Sequence, residues 1–300
     1  MAGLVRPHNG QESRKRPEGA PPLAPGRTIL VVGDSFATGY QTEERWSSQL
    51  ESLSGLPVVN GATGGWGIDQ IFLRARMLVP ELKPRLLIFS YIPNDMRRAE
   101  LSVFLGSPKP YFLIENGQAE LKGTPVEEYQ PSGRHIGWIR KIFGYSQAVL
   151  RVMIGVGLEE RWMAAGLENR ASPGGQDSAA IGCLLAQNLR AMKDAGLVGD
   201  VLMFPQLAYP DMTAEGDTAR FLEKSRKFAA CARAQGLMVA DPFALLKRRI
   251  DGDPDGHEAA LGKYWRYPLR DPHHWATGDR LMAKFLTPIV VRTVEGNLSP

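Results

Sequence analysis

The chain has 300 residues, 43% hydrophobic and 23% charged, with a formal net charge of +4; this suits a folded globular domain and excludes a collagen-like repeat, a coiled coil and wholesale disorder. No apolar run reaches the ~18 residues that a membrane-spanning helix needs, and the first thirty residues lack the apolar core of a secretory signal. Arg6, Arg14, Lys15, Arg16 and Arg27 concentrate the basic excess in the amino-terminal tail, so no phosphate-tracking stripe is expected and nucleic acid is not a predicted partner.

Residues 1–26 read as a disordered tail and 27–296 as the folded domain. Residues 28–32 are a continuous apolar run, as expected of a parallel strand covered on both faces. A helix over 42–54 places Trp46, Leu50 and Leu53 on one face and closes at Gly55 and Pro57. Residues 57–60 form a second strand. The helix after it turns Ile68, Ile71, Phe72, Ala75 and Leu78 inward and is predicted to end at Pro80. Residues 86–89 make a third strand.

The alternation then stops, and 96–178 reads as an insertion. Within it, 111–121 is a hairpin around Asn116-Gly117. Trp138, Ile139, Ile142, Phe143, Tyr145, Val149, Leu150 and Val152 form an apolar stretch expected to pack on the host domain. A lid or an interfacial helix in peripheral membrane contact is the alternative. The alternation resumes with a helix over 179–195 (Ile181, Leu184, Leu185 and Met192 inward), a strand at 201–204, a helix over 218–235 and a strand at 237–240. Short helices near 242–249 and 277–287 complete the chain. Five short apolar strands separated by helices predict one parallel sheet in an α/β sandwich. Cys183 and Cys231, both on helical stretches, are expected to be reduced and structural, which implies a cytoplasmic location.

Ligands of an open parallel sheet collect at the carboxyl ends of its strands. The first strand is followed by Gly33-Asp34-Ser35, the second by Asn60-Gly61-Ala62-Thr63-Gly64-Gly65-Trp66-Gly67, and the third by Asn94-Asp95. Near the end of the chain stands Asp271-Pro272-His273-His274-Trp275. Singly, Ser35 reads as well as a helix cap, and Asn94-Asp95 as a strand-to-helix turn. Together on one rim they are the parts of acyl transfer. A serine hydroxyl needs an adjacent base, an imidazole can serve near neutral pH, and a carboxylate can orient that imidazole. The tetrahedral oxyanion needs fixed donors.

In that order, Gly33-Asp34-Ser35, Gly65, Asn94-Asp95 and Asp271-x-His273 resemble the SGNH/GDSL hydrolase family. The resemblance implies a flavodoxin-like three-layer α/β/α fold and an esterase or acylhydrolase acting on a small-molecule ester, without cofactor or metal. It implies Ser35 as nucleophile, His273 as base and Asp271 as its orienting acid. The oxyanion hole would be the Ser35 and Gly65 amides with the Asn94 side chain. Two departures stand out: Ile92 occupies the position where the family carries a glycine, and His273 is doubled by His274, the alternative base. Acyl transfer to a glycan by the same residues is the nearest variant. The rival reading is an NAD(P)-binding turn at Gly61, Gly64 and Gly67, which also resembles the glycine run of short-chain dehydrogenases. Against it, the run follows the second strand rather than the first, and no Tyr is followed four residues later by Lys, the catalytic pair of that family.

Overall fold

Ile29–Val32 is buried at all four positions and hydrogen-bonds in parallel register with a strand on each side. The computed structural model describes residues 26–39, 45–126, 143, 146–156, 169–213, 217–266 and 273–296. In chain order they form β1 (Ile29–Val32), α1 (Ser35–Thr38), α2 (Trp46–Ser54), β2 (Val58–Asn60), α3 (Ile68–Leu82), β3 (Leu86–Tyr91) and α4 (Pro93–Ala99). Then come β4 (Leu101–Phe104), β5 (Ser107–Pro108), β6 (Tyr111–Glu115), β7 (Gln118–Lys122), α5 (Gln147–Gly155) and β8 (Arg170–Ala171). The chain continues with α6 (Ser178–Asp194), β9 (Asp200–Pro205), α7 (Tyr209–Thr213), α8 (Asp217–Ala234) and β10 (Met238–Val239). It ends with α9 (Phe243–Asp251), α10 (His257–Tyr264) and α11 (Ala276–Glu295).

The main sheet runs β10-β9-β3-β1-β2, all parallel. Counted along this sheet alone, that is the 2-1-3-4-5 order of flavodoxin-like folds. Alternation along the strands divides the core in two. Leu30, Val32, Leu87, Phe89 and Met203 point toward α3, α6 and α8. Ile29, Val31, Ile88, Leu202 and Phe204 point toward α2, α9, α10 and α11. The result is the expected three-layer sandwich. Because β1 lies between β2 and β3, the loops leaving those three strands emerge side by side.

Several element boundaries and burials differ from expectation. Pro80 does not end α3, which runs on to Leu82 and closes at Lys83 with φ 42°; the proline forgoes its own bond to the Arg76 carbonyl, but the helix continues past it for less than one further turn. Likewise α11 carries Pro288 inside it and continues to Glu295. Leu53 is 50% exposed, and Glu51 is buried in its stead because its Oε1 accepts the Val58 N–H at 2.9 Å. Leu184 and Met192 are half-buried, and the inward stripe of α6 is Ile181, Leu185 and Leu189. The hairpin forms β6–β7, with Asn116 and Gly117 at φ 52° and 73°, a pair suited to the tight primed turn. A small antiparallel sheet, β5-β4-β8, also lies within 96–178. Phe143 and Val152 are exposed, so these two do not pack on the host as expected. Trp138, Ile139, Ile142 and Tyr145, like the tail over 1–25, lie outside the described residues.

Cys183 on α6 and Cys231 on α8 are joined in a disulfide, Cα–Cα 5.2 Å, closing 48 residues. This corrects the expectation of reduced thiols and removes the ground on which a cytoplasmic location was inferred. Helical spacing alone could not reveal that the two cysteines face each other across a helix pair. Among the described residues no helix is long and apolar enough to cross a membrane.

Candidate active site

Four segments meet at the carboxyl rim of the sheet. The first is the turn from β1 into α1. A Cβ on Gly33 would lie 2.7 Å from the Cβ of Ala37 and 3.0 Å from the Ser90 carbonyl, so only glycine lets α1 start this close to β3. Asp34 caps the turn, its Oδ1 accepting the Phe36 N–H at 3.0 Å. Two side chains hold α1 from outside: Trp46 Nε1 donates to the Phe36 carbonyl at 3.0 Å, and Asn60 Nδ2 to that of Ala37 at 2.7 Å. Ser35 is half-buried at the head of this turn.

The glycine-rich turn after β2 is the second segment. A Cβ on Gly64 would stand 3.6 Å from that of Ser35, while Gly65 has φ 80° with only Phe104 nearby, at 3.7 Å. Gly64 therefore leaves room beside the serine, and Gly65 supplies the left-handed turn. Gly61 fits beneath Leu78, and a Cβ on Gly67 would press on the Ala99 backbone nitrogen at 2.8 Å. Of the residues of the rival dinucleotide reading, Gly61 and Gly67 thus abut their own chain, while Gly64 faces Ser35.

Asn94, half-buried in the first turn of α4, comes third. Pro93 occupies the first helical position, where its missing N–H costs nothing. Ile92, at the glycine position of the resemblance, has φ −118° and ψ 163°, an extended conformation open to any residue. The departure is therefore neutral for the backbone. Arg97 Nε donates to Asn94 Oδ1 at 2.8 Å. A guanidinium has no acceptor, so this bond sets the sense of the amide and leaves Nδ2 as the end that donates elsewhere. Asp95 is fully buried and its Oδ2 accepts the Ile92 N–H at 3.0 Å. Burial, and then the nearby Asp34, push its carboxyl well above the usual range, against the pull of Arg98.

The fourth segment carries the imidazoles. His273 Nε2 stands 2.8 Å from Ser35 Oγ, and its ring lies against Phe36 with centroids 4.8 Å apart. Backbone bonds tie the segment to the end of α10, the His273 carbonyl accepting from Arg266 N–H at 2.9 Å and Trp275 N–H donating to Tyr264 at 3.0 Å. Trp265 anchors that end in turn, its Nε1 donating to the Leu207 carbonyl at 3.0 Å. His274 points the other way. It is buried against Trp265 and Phe36, with Nδ1 3.6 Å from Asp279 Oδ1. Asp271 lies outside the described residues. Among the described residues no group of three or more His, Cys, Asp or Glu is placed to hold a metal.

Sequence reasoning missed Asn60, Trp46, Arg97 and Arg98. Arg97 and Arg98 follow Asn94 and Asp95 at helical i,i+3 spacing. That signal was available had 93–99 been read as a helix begun by Pro93.

No family model and no curated protein matches the chain. Solved structures do resemble it. Among them are a lipase/acylhydrolase from Enterococcus faecalis (14% identity, 91% of this chain and 98% of that one, TM-score 0.47) and a catalytic mutant of Axe2, an acetylxylan esterase from Geobacillus stearothermophilus (12%, 91% and 95%, 0.45). The acetyl xylan esterase AlAXEase is a third (14%, 88% and 99%, 0.48). At these identities the likeness is one of fold, and the functional reading below rests on the side chains.

Proposed function

We propose that this chain is a serine hydrolase of the SGNH/GDSL kind, cleaving carboxylic esters through an acyl-enzyme. We assign it to residues 27–296, with 96–178 as an insertion. The observation that carries the reading is the 2.8 Å contact of His273 Nε2 with Ser35 Oγ, made between residues far apart in the chain.

In this reading Ser35 Oγ attacks the ester carbonyl while His273 Nε2 takes its proton. Charge develops on the carbonyl oxygen and is received by the Ser35 and Gly65 amides and by Asn94 Nδ2. His273 then returns the proton to the departing alkoxide. Water, deprotonated by the same imidazole, attacks the acyl-enzyme and regenerates Ser35. Asp271 is assigned to orient His273. Small acyl or acetyl esters are the proposed substrates.

The test is hydrolysis of p-nitrophenyl esters of increasing acyl length by the wild type and Ser35→Ala, with fluorophosphonate labelling read by peptide mass. The expected result is label on Ser35 and a loss of about 10³-fold or more in the variant. Undiminished turnover in Ser35→Ala ends the reading. Adding a sugar acceptor separates water from a glycan hydroxyl as the acyl acceptor: an acylated sugar marks transfer.

A further inference from the structure

We propose that Arg98 is a positioning residue whose Nη1 ties together the three loops carrying the candidate oxyanion donors. This deepens the serine-hydrolase reading and rests on it. Nη1 lies 2.6 Å from Asp95 Oδ1, 3.2 Å from the Trp66 carbonyl and 3.3 Å from Asp34 Oδ2. Each acceptor belongs to the sequence neighbour of a proposed donor: Asp34 precedes Ser35, Trp66 follows Gly65, and Asp95 follows Asn94. One nitrogen thus meets all three loops, and with two hydrogens for three oxygens it shares one of them.

The surroundings make the tie rigid. The Arg98 side chain is 11% exposed, and both carboxylates are fully buried. Its guanidinium lies 5.5 Å from the centre of the Phe104 ring, and Phe104 also approaches Gly65. Behind it, the missing side chain of Gly67 lets the backbone of Arg98 and Ala99 close on the glycine-rich turn, a Cβ there being 3.0 Å from the Arg98 carbonyl carbon. The planar guanidinium fixes the direction of its hydrogens. A Lys at this place has one freely rotating donor centre.

Two consequences follow for the chemistry. Donors that stabilise an oxyanion must hold their geometry to within about 0.5 Å. Here they come from three separate strands, so something must couple the loops. Arg98 also acts on Asp34, whose Oδ2 lies 3.3 Å from Ser35 Oγ and competes with His273 for the hydroxyl hydrogen. By donating to that same oxygen, Arg98 weakens the competition and favours the 2.8 Å bond to His273.

The experiment compares wild type, Arg98→Met and Arg98→Lys. It measures kcat and KM on p-nitrophenyl acetate and hydrogen exchange of the peptides holding Ser35, Gly65 and Asn94. In Arg98→Met, kcat is expected to fall about 100-fold, as a small misplacement of reacting groups does, with KM within about twofold. Exchange rises in all three loops together, while the β9–β10 edge stays as in wild type. Arg98→Lys gives the same pattern in smaller measure and decides the matter if the Met variant does not fold. Unchanged exchange in the three loops overturns the proposal, as does a KM effect with kcat intact. If the wild type proves to have no Ser35-dependent hydrolysis, the serine reading falls, and the exchange data alone judge whether Arg98 ties the loops.

Discussion

The imidazole of His273 reaches the hydroxyl of Ser35 at 2.8 Å, whereas the adjacent His274 is turned into the core against Trp265. Two neighbouring residues of one type thus have opposite environments, and their substitutions should differ in kind. His273→Ala, half-buried at the rim, is expected to lose about 10³-fold or more in kcat with little change in melting temperature. His274→Ala opens a gap beside Trp265 and Phe36 and is expected to cost about 1–3 kcal/mol of stability, with a much smaller effect on kcat. Steady-state kinetics alongside thermal melts check both. Equal, mild losses in the two variants would remove His273 as base.

The glycines of the second loop separate in the same way. A methyl on Gly64 meets only ordinary contact with Ser35, so Gly64→Ala should fold normally yet hinder access to the hydroxyl, lowering kcat/KM. Gly67→Ala should do the reverse, since its Cβ would collide with the backbone of α4 and with Asp69; an overpacking cost of about 1–3 kcal/mol is expected. Gly65→Ala has room but an unfavourable φ of 80°, worth about 1–2 kcal/mol. Denaturant melts of the three variants should rank Gly64→Ala as the most stable.

The bond from Arg97 to Asn94 predicts non-additivity. If Arg97 acts by fixing the sense of the Asn94 amide, Arg97→Met should lower kcat about 10-fold. Asn94→Ala should lower it about 10²–10³-fold, as loss of an oxyanion donor does. The double variant should then be no worse than Asn94→Ala alone. Independent, additive losses would mean that Arg97 has a separate role.

Much of the fold was legible because parallel strands covered on both faces are continuous apolar runs: the runs at 28–32 and 86–89 are short for a helix and mark β1 and the first four residues of β3. The candidates Ser35, Gly65, Asn94 and His273 come from the resemblance to the SGNH/GDSL family, and of them the structure brings His273 Nε2 to 2.8 Å from Ser35 Oγ. What escaped depends on contacts across the chain. The two-residue strands of the β5-β4-β8 sheet carry no periodicity of their own. The helix begun at Pro93 hid behind its proline and an Asn-Asp pair that reads as a turn. Asp95 precedes Arg98 by three residues on α4, but only the tertiary fold brings the Trp66 carbonyl and Asp34 to the same guanidinium. Nor does local pattern tell that Cys183 and Cys231 share a helix–helix seam.

That seam gives a direct chemical prediction. With Cys183 and Cys231 joined, the denatured protein should show no reactive thiol to Ellman's reagent before reduction and two after it. Replacing both by Ser should cost about 2–4 kcal/mol in denaturant unfolding, through the freedom regained by a 48-residue loop in the unfolded chain. Two titratable thiols in unreduced protein would contradict the pairing.

Asp211 predicts how stability changes with pH. It is buried, its Oδ2 accepts the Ala208 N–H at 2.7 Å, and burial pushes its carboxyl up to about 7 from 3.8. Between those values the folded protein holds a proton that the unfolded chain releases, so stability falls as pH rises through that window and levels off above it. The loss from this one group is at most on the order of 4 kcal/mol. In Asp211→Asn the amide oxygen can still accept from Ala208 while the titration disappears. Stability of wild type relative to Asp211→Asn should therefore decline from pH 4.5 to pH 7 and stay flat beyond. Urea unfolding of the two proteins across that range checks the slope, and parallel curves would show that Asp211 titrates in the ordinary carboxylate range.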